Sequence, residues 1–208
     1  MMAEQAKFWD RMANRYSKQP VSDEAAYRQK LEITQRYFKP MDSVFEFGCG
    51  TGGTSIAHAP YVGSILATDV SSKMLEIAEH RREKAGVTNV SFQQFDIEKT
   101  TIDREAHDVI LGMSILHLIG NKADVIKSVW NGLKPGGYFI SSTVCIGTSL
   151  GILRFILPIA KPFGLLPNVQ FFKEDDLVAD LEGSGFVIEH RFRPKPDAAV
   201  FLVAQKPR

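Results

Sequence analysis

The sequence predicts an α/β fold: a mostly parallel β-sheet with helices on both faces and an antiparallel hairpin at one edge. Three observations point there. From Ser43 to Thr143, short runs rich in β-branched and aromatic residues alternate with helical patterns. The run Val44-Phe45-Glu46-Phe47 passes through the glycine turn Gly48-Cys49-Gly50-Thr51-Gly52-Gly53 straight into a helical pattern. Near the C-terminus, two strand-like runs are joined by Arg193-Pro194-Lys195-Pro196-Asp197, a link too short for a parallel crossover, which takes a dozen or more residues.

The strands are expected at Ser43–Phe47, Ser64–Thr68, Val90–Gln94, Val109–Met113 and Tyr138–Thr143, with helices over Thr51–Ala59, Ser72–Ala85 and Ala123–Leu133 between them. Ser71 or Ser72 is the natural N-cap of the second of these helices, and Gly86 closes it. Lys134-Pro135-Gly136-Gly137 stops the third and turns the chain into the fifth strand. Lys173–Glu182 is an amphipathic helix ended by Gly183-Ser184-Gly185, and Phe186–Phe192 and Ala198–Ala204 are the hairpin strands.

Composition narrows the function. The 208 residues carry 25 Lys+Arg against 24 Asp+Glu, a net charge of +1, so no basic surplus points to nucleic acid. Two cysteines, Cys49 and Cys145, are too few for a disulfide scaffold and suit a reducing, cytoplasmic setting. Met1 to Lys18 is charged throughout, without the apolar core of a secretory signal. The longest charge-free stretch, Pro135 to Leu153, begins as a strand, and Pro158 and Pro162 interrupt the apolar residues beyond it, so no transmembrane segment is expected. His58, His80, His107 and His190 show no ligand spacing, and no metal is expected.

The glycine turn marks a site where a ligand lies against bare backbone, at the start of a helix with unpaired N–H groups. Its spacing fits two patterns. Gly48, Gly50 and Gly53 satisfy the dinucleotide pattern G-x-G-x-x-G, and Gly48, Gly50 and Gly52 satisfy G-x-G-x-G. Three acids help to choose: Glu46 before the first glycine, Asp69 just past the second strand and Asp96 just past the third. All fall on the rim formed by the carboxyl ends of the strands, where open α/β sheets bind ligands. Acids there repel a pyrophosphate and suit a ligand that brings an ammonium, a ribose diol and an exocyclic amine. That favours S-adenosyl-L-methionine over NAD.

Five segments then resemble, in register, the class I S-adenosylmethionine-dependent methyltransferases: Glu46-Phe47-Gly48-Cys49-Gly50-Thr51-Gly52, Ala67–Leu75, Phe95-Asp96-Ile97, His107–Leu118 and Leu133–Tyr138. The tail from Phe172 to Phe186 is similar as well, and the nearest flavour is the small-molecule group that includes the ubiquinone/menaquinone biosynthesis enzymes. The resemblance implies a Rossmann-like, seven-stranded sheet in the order 3-2-1-4-5-7-6 with strand seven antiparallel. It implies one methyltransferase domain over 1–208, with a helical lid segment over 1–40; the residues themselves add an apolar insert over 145–170, after the fifth strand. The resemblance places Gly48 and Gly50, with Cys49 and Gly52 in the same loop, against the cofactor, and Glu46 beneath its amino-acid end. Asp69 takes the ribose hydroxyls, Val70 covers an adenine face, Asp96 accepts from the adenine amine, and the Ile97 N–H meets a ring nitrogen. Met113 and Ser114 line the pocket where the methyl group is presented.

Other residues carry competing readings. Cys49 also reads as a small filler, with nothing nearby in sequence to activate a thiol. His117 follows the fourth strand, so it is a candidate to orient or deprotonate the methyl acceptor, or else a packing residue. Tyr16 and Tyr27 are candidate lid residues and Trp9 an apolar anchor, against the reading of a plain amphipathic helix. The stretch Cys145–Pro167 is apolar on nearly every helical face, which fits a cap over an apolar small-molecule acceptor, peripheral contact with a bilayer, a homodimer interface or extra core. The rival functions are an NAD(P)-dependent oxidoreductase, although no Tyr-x-x-x-Lys pair is present, and a non-enzymatic cofactor-binding module.

Overall fold

A computed structural model of the chain describes residues 2–145, 169–196 and 198–208. Helices α1 (Met2–Tyr16) and α2 (Glu24–Gln35) precede β1 (Ser43–Phe47), α3 (Gly53–His58), β2 (Ser64–Asp69), α4 (Ser72–Lys84) and β3 (Val90–Gln94). Then come β4 (His107–Met113), α5 (Lys122–Gly132), β5 (Leu133–Thr143), α6 (Glu174–Gly183), β6 (Val187–Phe192) and β7 (Val200–Gln205). The sheet order is β3-β2-β1-β4-β5-β7-β6, the order the resemblance implies. β1 to β5 pair in parallel, and β7 runs antiparallel to both of its neighbours, β5 and β6. The expected hairpin is present, with β7 inserted into the sheet and β6 left as the edge.

The period-2 alternation of the strands sorts the core into two layers. Phe45 and Phe47 of β1, Phe139 of β5, and Val200 and Leu202 of β7 pack with Ile126 and Val129 of α5 and Leu177 and Leu181 of α6. Val44, Val109, Leu111, Ile140, Phe201 and Val203 face the other way, against Ile33 of α2. β7 is buried on both faces, whereas the edge strand β6 alternates exposed and half-buried positions. This is the burial that turns β-branched runs into central strands.

Several expected bounds shift for physical reasons. Ser71 is the N-cap of α4, its hydroxyl accepting the Met74 N–H at 3.1 Å, and Gly86 ends that helix with φ +66°. The helix expected over Thr51–Ala59 is shorter: α3 starts at Gly53, and the chain tightens into a 3₁₀ turn at Ala59–Tyr61, where Pro60 sits in the first turn. β5 starts at Leu133, not Tyr138, because Leu133 rejoins β4 opposite His107, and a register shift absorbs the Lys134–Gly137 turn. The apolar insert expected over 145–170 lies outside the described residues except for Cys145, Val169 and Gln170.

His58 is fully buried, its ring 5.0 Å edge-on to Phe38, with neither ring nitrogen hydrogen-bonded among the described residues. Burial pushes its pKa down to about 4, so the fold holds the neutral ring. An unfolded histidine titrates near 6.5. The unfolded chain therefore takes up the proton first, and stability present above pH 6.5 is lost as the pH falls toward 4. Urea unfolding of wild type and His58→Leu is expected to show the wild type losing about 2 kcal/mol more between pH 7.5 and 5. Equal losses in the two proteins would mean that His58 is protonated or hydrated in the fold.

Candidate active site

The glycine turn owes its shape to left-handed backbone at Gly48 (φ +66°), Gly50 (φ +54°) and Gly52 (φ +74°). At Gly52 there is also no room for a side chain, since a Cβ would lie 2.7 Å from the Phe92 ring and 2.9 Å from Ala78 Cβ. Gly53 opens α3, and a Cβ there would meet nothing within 4 Å. The loop thus requires G-x-G-x-G and has no use for the third glycine of the dinucleotide pattern, which closes a helix onto a strand.

Where the loop's amides go is more telling. Cys49 N–H donates to Thr68 O at 2.9 Å, Gly50 N–H to Asp69 Oδ2 at 2.9 Å and Gly52 N–H to Cys49 O at 3.0 Å. A phosphate cradle needs such amides pointed at the ligand. Here three of them are spent within the protein, one on the Thr68 carbonyl of β2, one on the Asp69 carboxylate and one inside the loop. Asp69 is 8% exposed, and its other oxygen accepts the Ser71 N–H at 2.9 Å. Burial raises its pKa, and these backbone donors oppose the rise. Each oxygen keeps a second acceptor site, which is what a ribose diol would use.

Glu46, 1% exposed, lies behind the turn on the same sheet edge and accepts the Ser55 hydroxyl. Burial pushes its pKa up to about 7, the Ser55 hydrogen bond lowers it and the Asp69 charge raises it. A cation placed near Glu46 would favour its ionised form. Asp96, 8% exposed, accepts the Glu98 N–H at 3.1 Å through Oδ1, with Lys99 Nζ 3.8 Å from Oδ2. The Ile97 N–H takes no part in the turn's backbone hydrogen bonds, which run from Lys99 and Thr100 to Asp96 O.

One cleft collects most of the expected residues, with about 750 Å³ of atom-free space open to solvent at its mouth. Gly48, Gly50 and Asp69 line its floor, Val70, Asp96 and Ile97 one end, and Met113 and Ser114 the other. Tyr16 and Trp9 of α1 close over it, with their rings edge to face at 6.3 Å. Tyr16 is 46% exposed as a residue, yet burial raises the pKa of its phenol, as does the Asp69 charge, and Arg81 opposes them. Ser114 holds φ +57°, uncommon for a non-glycine residue and often found at functional positions. Its N–H donates to Ser142 O at 2.7 Å.

Four expected site residues do not reach the cleft wall: Glu46, Cys49, Gly52 and His117. Cys49 is buried, and its thiol is pushed well up by burial, then by the Glu46 and Asp69 charges, so it is held as an inert filler. His117 sits in the 3₁₀ turn Leu116–Leu118, which sends Ile115 and Leu118 inward instead. Ile115 fills the space a Gly48 side chain would need, 2.7 Å from the Cβ position. The His117 ring is half-buried, with Nδ1 enclosed and unpartnered among the described residues, and burial lowers its pKa. Tyr27 also lies outside this cleft, its phenol directed at Thr54. Among the described residues, no group of three His, Cys, Asp or Glu could hold a metal, and no helix is long and apolar enough to cross a membrane.

Three positioning residues carry no sequence signal because their partners are distant along the chain. Asp10 of α1 accepts the Ser71 hydroxyl at 2.6 Å and the Lys73 N–H at 3.2 Å, so a carboxylate meets the N-terminus of α4. Arg81 of α4 donates to Thr51 Oγ1 at 2.6 Å and to Ser17 O at 2.8 Å, joining the glycine turn to the segment after α1. Glu98 accepts the Gly120 and Asn121 N–H groups at 2.7 and 3.1 Å, tying the two ends of the cleft together.

A family model described as a methyltransferase domain matches residues 38–162. A ubiquinone biosynthesis O-methyltransferase of Coxiella burnetii (strain RSA 331 / Henzerling II) is 29% identical over 147 residues, 68% of this chain and 62% of the relative. The chain thus spans less than two thirds of that relative's length. Among solved structures, an N-methyltransferase of Haemonchus contortus in complex with phosphomonomethylethanolamine and S-adenosylhomocysteine aligns with a TM-score of 0.72. The alignment is 17% identical and covers 88% of this chain and 53% of that one. The cyclase SpnF aligns with a TM-score of 0.73 at 16% identity, covering 91% and 84% of the two chains.

The two tethers of α1 make a prediction about the cover of the cleft. In Asp10→Ala, hydrogen exchange of the α1 amides is expected to quicken by about tenfold, the loss of roughly one charge-assisted hydrogen bond, with β1 and β4 unchanged. Unchanged α1 protection would show that Asp10 does not hold the helix down.

Proposed function

The chain belongs to the methyltransferase-domain family, and from that premise we propose that it transfers a methyl group from S-adenosyl-L-methionine to a small acceptor with an apolar body. The observation that carries this reading is the spending of the loop amides on Thr68, Asp69 and Cys49. Those three amides are therefore turned away from whatever lies over the turn, and the Asp69 carboxylate lines the cleft beside it. That donor set fits a phosphate-free adenosyl ligand with a cationic end, and it would repel the pyrophosphate of NAD.

In this reading Asp69 accepts both ribose hydroxyls through the acceptor sites left free by Gly50 and Ser71. Val70 covers the adenine, Asp96 accepts from its amine, and the Ile97 N–H serves a ring nitrogen. Gly48 and Gly50 let the methionine portion lie on bare backbone, with the Glu46 charge below it. When bound, S-adenosyl-L-methionine supplies a methyl group on a sulfonium, already activated for displacement. The task left to the protein is orientation and the exclusion of water. Met113, Ile115 and Leu118 supply an apolar wall at that end, and Trp9 and Tyr16 supply the cover. His117 has a neutral ring outside the cleft wall, so in this arrangement a general-base role for it requires movement of the Leu116–Leu118 turn.

The likeness to SpnF, a cyclase by its name, makes binding and transfer separate questions. Calorimetry should show S-adenosylhomocysteine binding, and Asp69→Ala should weaken it at least tenfold, as for the loss of charge-assisted hydrogen bonds to a ribose. The circular dichroism spectrum of the variant checks that the fold survives. Unchanged affinity would remove Asp69 from the ribose role. Binding without transfer of radiolabelled methyl to any quinol, phenol or amine would favour the cofactor-holding module.

A further inference from the structure

Helix α2 carries two polar side chains that the cofactor does not need. Tyr27 and Lys30 are three residues apart and so share one face of the helix. Tyr27 directs its phenol at Thr54 and lies within range of the Glu46 charge at the end of β1. Lys30 Nζ donates to Ser142 Oγ at 2.8 Å at the end of β5. Between β1 and β5 runs β4, whose Met113 lies beside Ser142 in the parallel register and lines the cleft. α2 thus sets a phenol and an ammonium on the two flanks of the strand end where the methyl group would be presented. Strands lie about 4.8 Å apart, so the flanks are separated by roughly 10 Å, the scale of one substituted ring.

Among the described residues the ammonium has no counter-ion. Lys30 is half-buried; among the described residues no carboxylate lies within 4.0 Å of its nitrogen, and its hydrogen-bond partner there is the neutral Ser142 hydroxyl. Burial lowers its pKa, and only the distant Asp23 charge pulls the other way. A desolvated, unpaired charge is costly to keep unless something pairs with it. Ser142 links this lysine to the cleft: its hydroxyl accepts from Lys30 and its carbonyl from the N–H of Ser114, the residue held in left-handed backbone on the cleft wall.

We propose that Lys30, with Tyr27 opposite, forms the acceptor subsite and pairs with an acidic oxygen, a phenolate, enolate or carboxylate, on the molecule to be methylated. The proposal rests on the methyl-transfer reading and narrows its acceptor class to small organic acids. Lys30 holds the ionised oxygen, and the wall of Met113, Ile115 and Leu118 takes the apolar body. The acid supplies the charge that Ser142 cannot.

The test uses the full chain, saturated with S-adenosylhomocysteine, and a panel of small carboxylic acids and phenols, each paired with its amide or methyl ether. Binding is read by ligand-observed NMR. The acidic member of a pair is expected to bind more tightly than its neutral partner. Lys30→Met should cut that preference at least tenfold, Lys30→Arg should keep it, and S-adenosylhomocysteine affinity and melting temperature should be unchanged in both. The proposal is overturned if wild type shows no preference for the acids, or if the preference survives in Lys30→Met. S-adenosylhomocysteine affinity is measured on the same samples, so a failure of the cofactor reading would be seen separately from a failure of this one.

Discussion

The Asp69 carboxylate is shared between two backbone donors. One oxygen takes the Gly50 N–H and the other the Ser71 N–H, so the end of β2, the glycine turn and the cap of α4 become one piece. Hydrogen bonds to a charged acceptor each contribute about 1.5–3 kcal/mol, which offsets part of the cost of holding a carboxylate 8% exposed, burial still raising its pKa. The turn can adopt the required backbone only because Gly48, Gly50 and Gly52 tolerate positive φ. Once it does so, the Cys49, Gly50 and Gly52 amides are spent within the protein and the Asp69 carboxylate lines the cleft. Fold and ligand chemistry are set by the same few bonds.

That arrangement explains why the cover of the cleft is tethered where it is. Asp10 reaches the same Ser71 that Asp69 holds, and Arg81 reaches Thr51 in the glycine turn. α1 is thereby fastened to both sides of the turn, with Trp9 and Tyr16 between the fasteners and over the ligand space. On the far side Glu98 braces the loop after β4, which fixes Ile115 and Leu118 as the apolar wall. The cleft thus has an acidic floor and an apolar end, and Lys30 of α2 lies beyond its wall, against Ser142 at the end of β5. In the proposed reading the cationic cofactor and the acidic acceptor take different places, and their opposite charges favour close approach.

Much of this is legible in the sequence because it is local. β1 and β3 begin and end where turn residues say they should, and the three rim acids follow from their places at or near the carboxyl ends of strands, Glu46 within β1, Asp69 closing β2 and Asp96 just past β3. The glycines cannot be ranked that way. Gly52 and Gly53 are adjacent and identical, and only the presence of Phe92 and Ala78 beside one of them shows which is required. His117 misleads for a related reason. Its position after β4 suggests the mouth of the site, but a 3₁₀ turn rotates it away and presents Ile115 and Leu118. Asp10 and Arg81 give no local signal, since the first acts on a residue 61 positions away and the second on partners 30 and 64 positions away. Lys30 is equally silent, because its partner Ser142 lies 112 residues further along.

The most direct test of the central claim is crystallographic. Crystals soaked with S-adenosylhomocysteine should show the ribose on the free acceptor sites of Asp69, the adenine between Val70 and Ile97 with its amine at Asp96, and the amino-acid end over Gly48. Soaking with NADH should leave the cleft without a dinucleotide. A pyrophosphate bound to the Gly48–Gly53 turn, or a cleft that stays empty at saturating S-adenosylhomocysteine, would contradict the account.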